Sequence, residues 1–222
     1  MMSDTGRLIT ERLPVTPFHQ NCSLVWDPVT HKALVVDPGG DAERIHARIT
    51  EAGLTVDAIL LTHGHLDHVG GTVALRTLLA GTQTETPEVI GPTTHDEFLL
   101  NSVEEQARHF GLADLHSVSP DRYTSDGETL DLLGHHYQVL HVPGHTPGHV
   151  VFFDAAEQIV FAGDTLFRGT IGRTDFSYGD SRQLITAIRE KLLPLGDEVV
   201  VVPGHGAPTK IGMERVNNQF LQ

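Results

Sequence analysis

Residues 59–68 read Ile59-Leu60-Leu61-Thr62-His63-Gly64-His65-Leu66-Asp67-His68, and the rest of the chain can be arranged around them. The apolar run Ile59 to Leu61, with β-branched Thr62, has the length and composition of a short buried strand. It runs straight into three histidines and one aspartate, and Gly64 lets the backbone bend between the first two imidazoles. The pattern H-x-H-x-D-H offers four potential metal donors within six residues. Imidazole and carboxylate together suit zinc, iron or manganese, and no thiolate is present. Four groups this close in sequence cannot all close tetrahedrally on one ion. They imply two adjacent positions, one taking His63 and His65, the other Asp67 and His68.

Further donors follow in the same strand-then-turn setting. A strand over Tyr137 to Val142 ends in Pro143-Gly144-His145, and Val199 to Val202 ends in Pro203-Gly204-His205. Ile159 to Ala162 ends in Gly163-Asp164-Thr165. Ligands delivered from several strand ends converge on one edge of an α/β fold. The expected assignment gives His63, His65 and His145 to one ion and Asp67, His68 and His205 to the other. Asp164 bridges them through its two carboxylate oxygens. Two ions about 3.5–4 Å apart can share a hydroxide, because bound water falls from a pKa of about 15.7 to about 7. One ion can also steady a developing oxyanion. Such a centre hydrolyses esters, thioesters, lactones or amides without a serine or cysteine nucleophile, with Asp67 and Asp164 as catalytic carboxylates. The single cysteine, Cys22, lies outside any reactive motif and reads as a small buried residue.

The other elements alternate. Cys22 to Trp26 and Ala33 to Val36 read as strands paired across Asp27 to Lys32, and the second ends in the turn Asp37-Pro38-Gly39-Gly40. Asp37 is either a carboxylate supporting the metals or an ordinary turn residue. Asp41 can cap a helix to Ala52 that Gly53 ends. Gly70-Gly71 opens a helix carrying Val73, Leu75, Leu78 and Leu79, and Glu88 to Ile90 is a short strand. Thr93 to Gly111 is helical, either a mobile cover over the site (within a stretch reaching residue 136) or a plain surface helix. Val150 to Phe153 is a strand, and Ser181 to Leu193 is a helix with Leu184, Ile188 and Leu192 on one face. This mixture of pairings implies two mixed sheets packed face to face with helices outside, an α/β sandwich of related halves. His31, His46, His109, His116, His135 and His136 fall in turns and polar stretches and are expected at the surface.

A chain of 222 residues, 39% hydrophobic with 22 Gly and 12 Pro, fits one globular domain over residues 1–222. No apolar stretch approaches a secretory signal or a bilayer span, and one cysteine forms no internal disulfide, so a cytoplasmic location without membrane association is expected. The formal charge of −14 argues against nucleic acid as a partner. Nothing in the sequence fixes an oligomeric state.

The ordered set His63, His65, Asp67, His68, His145, Asp164 and His205 resembles that of the metallo-β-lactamase superfamily, across nearly the whole chain. The resemblance implies a four-layer αβ/βα sandwich. Gly163-Asp164-Thr165-Leu166-Phe167 with the later Gly172-Arg173 resembles glyoxalase II, the hydroxyacylglutathione hydrolases. Pro17-Phe18-His19-Gln20-Asn21-Cys22, Phe152-Phe153, Gly172-Arg173-Thr174-Asp175-Phe176 and Lys191-Leu192-Leu193-Pro194-Leu195-Gly196 look closer to the small bacterial members. The resemblance implies a thioesterase holding two divalent ions, zinc first with iron or manganese as alternatives, and acting on S-lactoylglutathione or a related glutathione thioester in methylglyoxal detoxification. The chain runs from His205 only to Gln222, so the C-terminal helical domain that glyoxalase II uses to hold glutathione is expected to be missing. Arg173 then becomes the expected contact for a substrate carboxylate, with Phe176 and Tyr178 as an apolar wall. The other reading of Arg173 is an internal pair with Asp175 or Asp180. A mononuclear iron persulfide dioxygenase using His63, His145 and Asp164 is the alternative activity, and His205 speaks against it. A lactonase would use the same ligands. β-Lactamases lack an aspartate at the place of Asp164.

Overall fold

Strand-forming runs in the first half of the chain build one sheet, and those in the second half build another. The computed structural model describes residues 7–112 and 114–222. In the first sheet β1 (Ile9–Val15), β2 (Gln20–Trp26), β3 (Lys32–Val36), β4 (Thr55–Leu60) and β5 (Glu88–Ile90) lie side by side in that order. β1 to β3 pair antiparallel, and β3 to β5 pair parallel. The parallel pairs need helical crossovers. These are α1 (Ala42–Glu51), then α2 (Leu66–Val69) and α3 (Thr72–Ala80). α4 (Glu97–Asn101) and α5 (Val103–His109) follow β5.

The second sheet contains β6 (Thr129–Leu132), β7 (His135–His141), β8 (Val150–Asp154), β9 (Ile159–Gly163), and further on β12 (Val200–Pro203) and β13 (Thr209–Lys210). Its order is β13-β12-β9-β8-β7-β6, with β9 and β12 parallel and the rest antiparallel. Between β9 and β12 come the small ribbon β10 (Leu166–Phe167) and β11 (Thr170–Ile171), then α6 (Ser181–Ala187), which continues as a π turn and a 3-10 turn to Leu195. α7 (Ile211–Asn217) closes the order.

Three apolar layers show that the sheets stack face to face with helices outside, the αβ/βα sandwich expected from the sequence. Ile45, Ile49, Leu75, Leu79, Leu100 and Val103 pack on the outer face of the first sheet, and Leu184, Ile188, Leu192 and Ile211 on that of the second. Between the sheets Leu34, Leu60 and Ile90 meet Val139, Phe152 and Phe161. Each such fully buried side chain contributes about 1.5–3 kcal/mol relative to exposure. Tyr137 is buried in the same layer with an unpartnered hydroxyl. In β4 a register shift beside Ala58 resets the side-chain alternation. Ile59 and Leu61 then face the helices, and Ala58 and Leu60 face the other sheet.

Several local expectations change. Asp41 precedes α1 but makes no side-chain cap; its Oδ2 accepts the Thr16 N–H instead. Asp67 and His68 sit on the short helix α2. Gly64 is required by close approach, since a Cβ there would lie 2.7 Å from the Leu99 Cβ. The helical stretch after Thr93 breaks at Ser102. His135 is not a surface residue: it is buried and paired through Nδ1 with Asp154 Oδ2 at 2.7 Å. Alternation along β7 turns it inward, a cue masked by the neighbouring exposed His136. His46 is half-buried and reaches Thr82 Oγ1.

Candidate metal centre

Parallel pairing decides where the donors emerge. β9 and β12 run together with Gly163 opposite Pro203, and the Gly204 N–H donates to Gly163 O at 2.7 Å. Asp164 and His205 therefore leave the second sheet side by side. The first sheet delivers His63 to His68 to the same edge. There Val150 N–H donates to Thr62 O at 2.8 Å and Asn21 N–H donates to Gly204 O at 2.7 Å, joining the two sheets.

His63 Nε2 and His145 Nε2 each lie 3.0 Å from His65 Nδ1. The partners of the remote nitrogens fix the tautomers. His145 Nδ1 donates to Arg173 O at 2.7 Å, and a carbonyl can only accept, so Nε2 carries a lone pair. The Thr62 hydroxyl donates to Asp37 Oδ2 at 2.6 Å, so it accepts from His63 Nδ1 at 3.0 Å. His65 Nε2 lies 2.9 Å from Tyr178 Oη, which can accept its proton when Nδ1 keeps its lone pair for the cluster. Three lone pairs thus face one point. Two imidazole ligands on a tetrahedral ion at about 2.0–2.1 Å stand about 3.3 Å apart, close to this spacing. Burial, then the neighbouring imidazoles, holds His63 well below the ordinary imidazole range, and burial and His145 hold His65 at about 3. His145 is lowered chiefly by burial. All three are neutral and ready to donate.

The second cluster is different in charge. His205 Nε2 lies 3.2 Å from Asp67 Oδ2, and His205 Nδ1 donates to Phe18 O at 3.2 Å. His68 Nδ1 donates to Asp37 Oδ2 at 2.9 Å, while its Nε2 stands 3.3 Å from Asp164 Oδ1. Burial would lower His68, but Asp164 and Asp67 outweigh it and raise it well above the usual range; His205 is raised in the same way, first by Asp67. Burial would raise Asp164 and Asp67, but His68 outweighs it and both are lowered. Asp164 Oδ2 lies 3.6 Å from both His145 Nε2 and His205 Nε2, between the two clusters. A Cβ on Gly204 would fall 2.2 Å from Asp164 Oδ1, so only glycine fits there.

These residues fit divalent cations. His68 Nε2 and Asp164 Oδ1 are both buried without a hydrogen-bond partner, and each points at the other. Buried polar atoms left this way are rare unless an ion or water satisfies them. Two triads, His63/His65/His145 and Asp67/His68/His205, each bring their donor atoms within 4.8 Å of one another. A third grouping, Asp37/His63/His68, meets the same distance, but Asp37 is already engaged: Oδ1 accepts Thr62 N–H at 2.7 Å and Oδ2 takes Thr62 Oγ1 and His68 Nδ1. Of its two sequence readings, the supporting carboxylate is the one its contacts match.

Two supporting residues went unread. His149 is buried, stacks on His63 at 4.6 Å between ring centroids, and accepts the Asp164 N–H on Nε2 at 3.0 Å. Its cue was the doubled Pro-Gly-His at Pro143–His145 and Pro147–His149. Asp96, also buried, accepts from Gly64 N–H, Thr146 Oγ1 and Gly148 N–H, tying both histidine loops together. No local pattern in the sequence marks it.

The donors open into a cleft of about 510 Å³ lined by Asp67, Asp164, His65, His145 and His205 and walled by Phe18, Phe110, Phe167, Ile171, Phe176 and Tyr178. Phe176 stacks on Tyr178 at 5.1 Å and lies 5.0 Å from the His65 ring. Arg173 also lines the cleft. Its Nε and Nη2 donate to Asp175 Oδ1 and Oδ2 at 2.7 and 2.9 Å, and its guanidinium sits 4.5 Å from the Phe176 centroid. Cys22 is fully buried, and burial pushes its thiol far above the usual range.

A sandwich with histidine and aspartate donors gathered at one edge is the layout of a metal-dependent hydrolase. The family model described as the metallo-beta-lactamase superfamily matches residues 15–205, and the chain belongs to that superfamily. It is 48% identical to "Hydroxyacylglutathione hydrolase GloC" of Haemophilus influenzae, over 95% of this chain and 97% of that protein. It is 36% identical to "Probable metallo-hydrolase YqgX" of Bacillus subtilis, over 95% and 96% of the two chains. Among solved structures, the BLEG-1 B3 metallo-beta-lactamase superposes with a TM-score of 0.86 at 33% identity, covering 96% of this chain and 99% of that one. TTHA1623 in a di-iron-bound form gives 0.83 at 36% identity, covering 95% and 100%. The protein is a metal-dependent hydrolase. No helix among the described residues is long and apolar enough to cross a membrane.

Proposed function

We propose that the chain is a single-domain thioesterase that holds two divalent ions and hydrolyses glutathione thioesters such as S-lactoylglutathione to a hydroxy acid and free thiol. The observation that carries this reading is the pair of complete donor triads with the Asp164 carboxylate between them. His63, His65 and His145 would hold one ion, Asp67, His68 and His205 the other, and Asp164 both. Zinc fits the nitrogen-rich triad, and the di-iron form of TTHA1623 makes iron the first alternative. When bound, the ions supply an acidified water and an electrophile for the thioester carbonyl oxygen.

The chain's own groups do the rest. Asp67, ionised and lining the cleft, accepts the proton that water gives up as it attacks the carbonyl carbon. The carbon–sulfur bond breaks, and the leaving thiolate is protonated from the same aqueous cleft. Asp37, Thr62, Phe18 O, Arg173 O and Tyr178 hold the five imidazoles in the donor tautomer. Arg173, Phe176 and Tyr178 line the approach to the donors and are proposed to contact the substrate, a carboxylate of which would share Arg173 with Asp175. The substrate is a small molecule reacting in a soluble compartment, the cytoplasm in our reading.

The test combines metal analysis of purified protein with assays of thiol release from S-lactoylglutathione and of oxygen uptake with glutathione persulfide. Two ions per chain with thiol release and no oxygen uptake is expected. One iron with oxygen uptake and inert thioesters would replace the thioesterase by a dioxygenase.

A further inference from the structure

Aromatic side chains gather at the mouth of the cleft where solvent exposure would otherwise be unfavourable. Four phenylalanines are exposed among the described residues, and three of them border this site: Phe18 (37%), Phe98 (48%) and Phe110 (60%). Phe18, from the turn between β1 and β2, meets Phe110, from the end of α5, edge to face at 5.3 Å. Phe98 packs edge-on against Tyr178 at 5.4 Å. Phe18 and Phe110 line the cleft beside the donors together with Phe167, Ile171, Phe176 and Tyr178, and Phe98 backs the last of these. Elements far apart in sequence converge to build it, and contiguous exposed apolar surface around a concave site marks a binding surface.

Charge points the same way. Arg173 is the one lysine or arginine lining the cleft among the described residues, and Asp175 already satisfies it with two parallel hydrogen bonds. Its guanidinium also covers the Phe176 face. The one cation lining the cleft is thus already shared with Asp175 before any anionic thiol arrives, while Phe18, Phe98 and Phe110 stay exposed.

We infer that the cleft selects thioesters bearing an apolar, preferably aromatic, substituent next to the scissile bond, with Phe18 and Phe110 as the specificity-determining side chains. The inference rests on the thioesterase reading for its reaction and on the aromatic wall for its selectivity. The substituent can sit on the carbon beside the carbonyl or on the thiol; both present the same chemistry to the wall.

The holoenzyme is assayed with S-mandeloylglutathione and S-lactoylglutathione, which differ by phenyl for methyl on the acyl side. A second pair, the lactoyl thioesters of benzyl mercaptan and of 2-mercaptoethanol, places the difference on the thiol side. At least one pair should show kcat/KM about tenfold or more in favour of the aromatic member, and the pair that does identifies the side. Phe110→Ala and, separately, Phe18→Ala should shrink that ratio several-fold with metal content unchanged. Equal kcat/KM within both pairs, or a ratio indifferent to both substitutions, overturns the inference. Binding of S-benzylglutathione against S-methylglutathione, measured by calorimetry, needs no turnover. A benzyl preference of about tenfold that falls in Phe110→Ala, in a protein that hydrolyses no thioester, would retire the thioesterase and keep the apolar site. Equal binding of the two would retire the site.

Discussion

Asp37→Asn changes one atom in the support of His68 and should move a proton on a neighbouring ring. Asp37 is buried and accepts three hydrogen bonds, from Thr62 N–H, Thr62 Oγ1–H and His68 Nδ1–H. It holds φ at 53°, a region asparagine tolerates, so the backbone has no reason to shift. If the asparagine oxygen keeps the Thr62 N–H, its amide nitrogen faces the Thr62 hydroxyl and His68 Nδ1. The hydroxyl can turn to accept. His68, doubly protonated in the stripped protein, can accept there only by giving up its Nδ1 proton and keeping the one on Nε2, the atom that faces Asp164 Oδ1 at 3.3 Å. That proton occupies the lone pair an ion needs. Losing an outer partner of a metal-binding histidine typically costs about 10–100-fold in affinity, or about 1.4–2.8 kcal/mol at 1.4 kcal/mol per decade. Calorimetric titration of the stripped protein with zinc should show the second equivalent weakened by that factor and the first nearly unchanged. Two equivalents binding as tightly as in the parent would refute the tautomer argument.

Other perturbations separate the two clusters. His68→Ala and His205→Ala should each lower bound metal toward one ion per chain and cut thioester hydrolysis by orders of magnitude; full activity with one ion would remove the second ion from the reaction. Tyr178→Phe removes the acceptor for His65 Nε2 and should weaken the first ion roughly tenfold or more, visible as an altered visible spectrum of the cobalt-substituted protein; an unchanged spectrum and affinity would return Tyr178 to the cleft wall alone. In metal-free protein, burial holds His63, His65, His145 and His149 below the ordinary imidazole value. Their stabilisation is present above about pH 6.5 and lost as pH falls, because the unfolded chain then binds protons the folded chain does not. His68 and His205 act oppositely, stabilising below about 6.5 and losing that as pH rises through their raised values. The four outnumber the two, so the denaturation midpoint of the stripped protein should drop between pH 7 and pH 5; a flat or rising midpoint would contradict the buried neutral state.

The clustering of the candidate donors was readable because strand, turn and donor are neighbours in sequence. His63 follows β4, and His145 and His205 follow the same Pro-Gly pair, so local pattern and final position agree. The supports were less visible because they act at a distance. Asp96 clamps Gly64 from 32 residues away and Gly148 from 52, and nothing in its own neighbourhood sets it apart. β1 went unread because only Leu13 and Val15 are buried along it, and Glu11 and Arg12 break its apolar pattern. The aromatic mouth is likewise a tertiary product: Phe18 and Phe110 meet only after the first hairpin and α5 have packed.

The two sheets occupy successive stretches of chain, one ending at Ile90 and the other beginning at Thr129. Each donor triad nonetheless takes two groups from the first stretch and one from the second. A chain synthesised from its N-terminus can therefore complete the first sheet, with His63, His65, Asp67 and His68 in place, well before His145 and His205 leave the ribosome. On the proposed ligand sets, metal capture at full strength would be the last event of assembly, and each ion would act as a rivet between the two stretches. Chelation should loosen the seam before it loosens either sheet, and hydrogen exchange at the Asn21 and Val150 amides, which donate across it, would register it first.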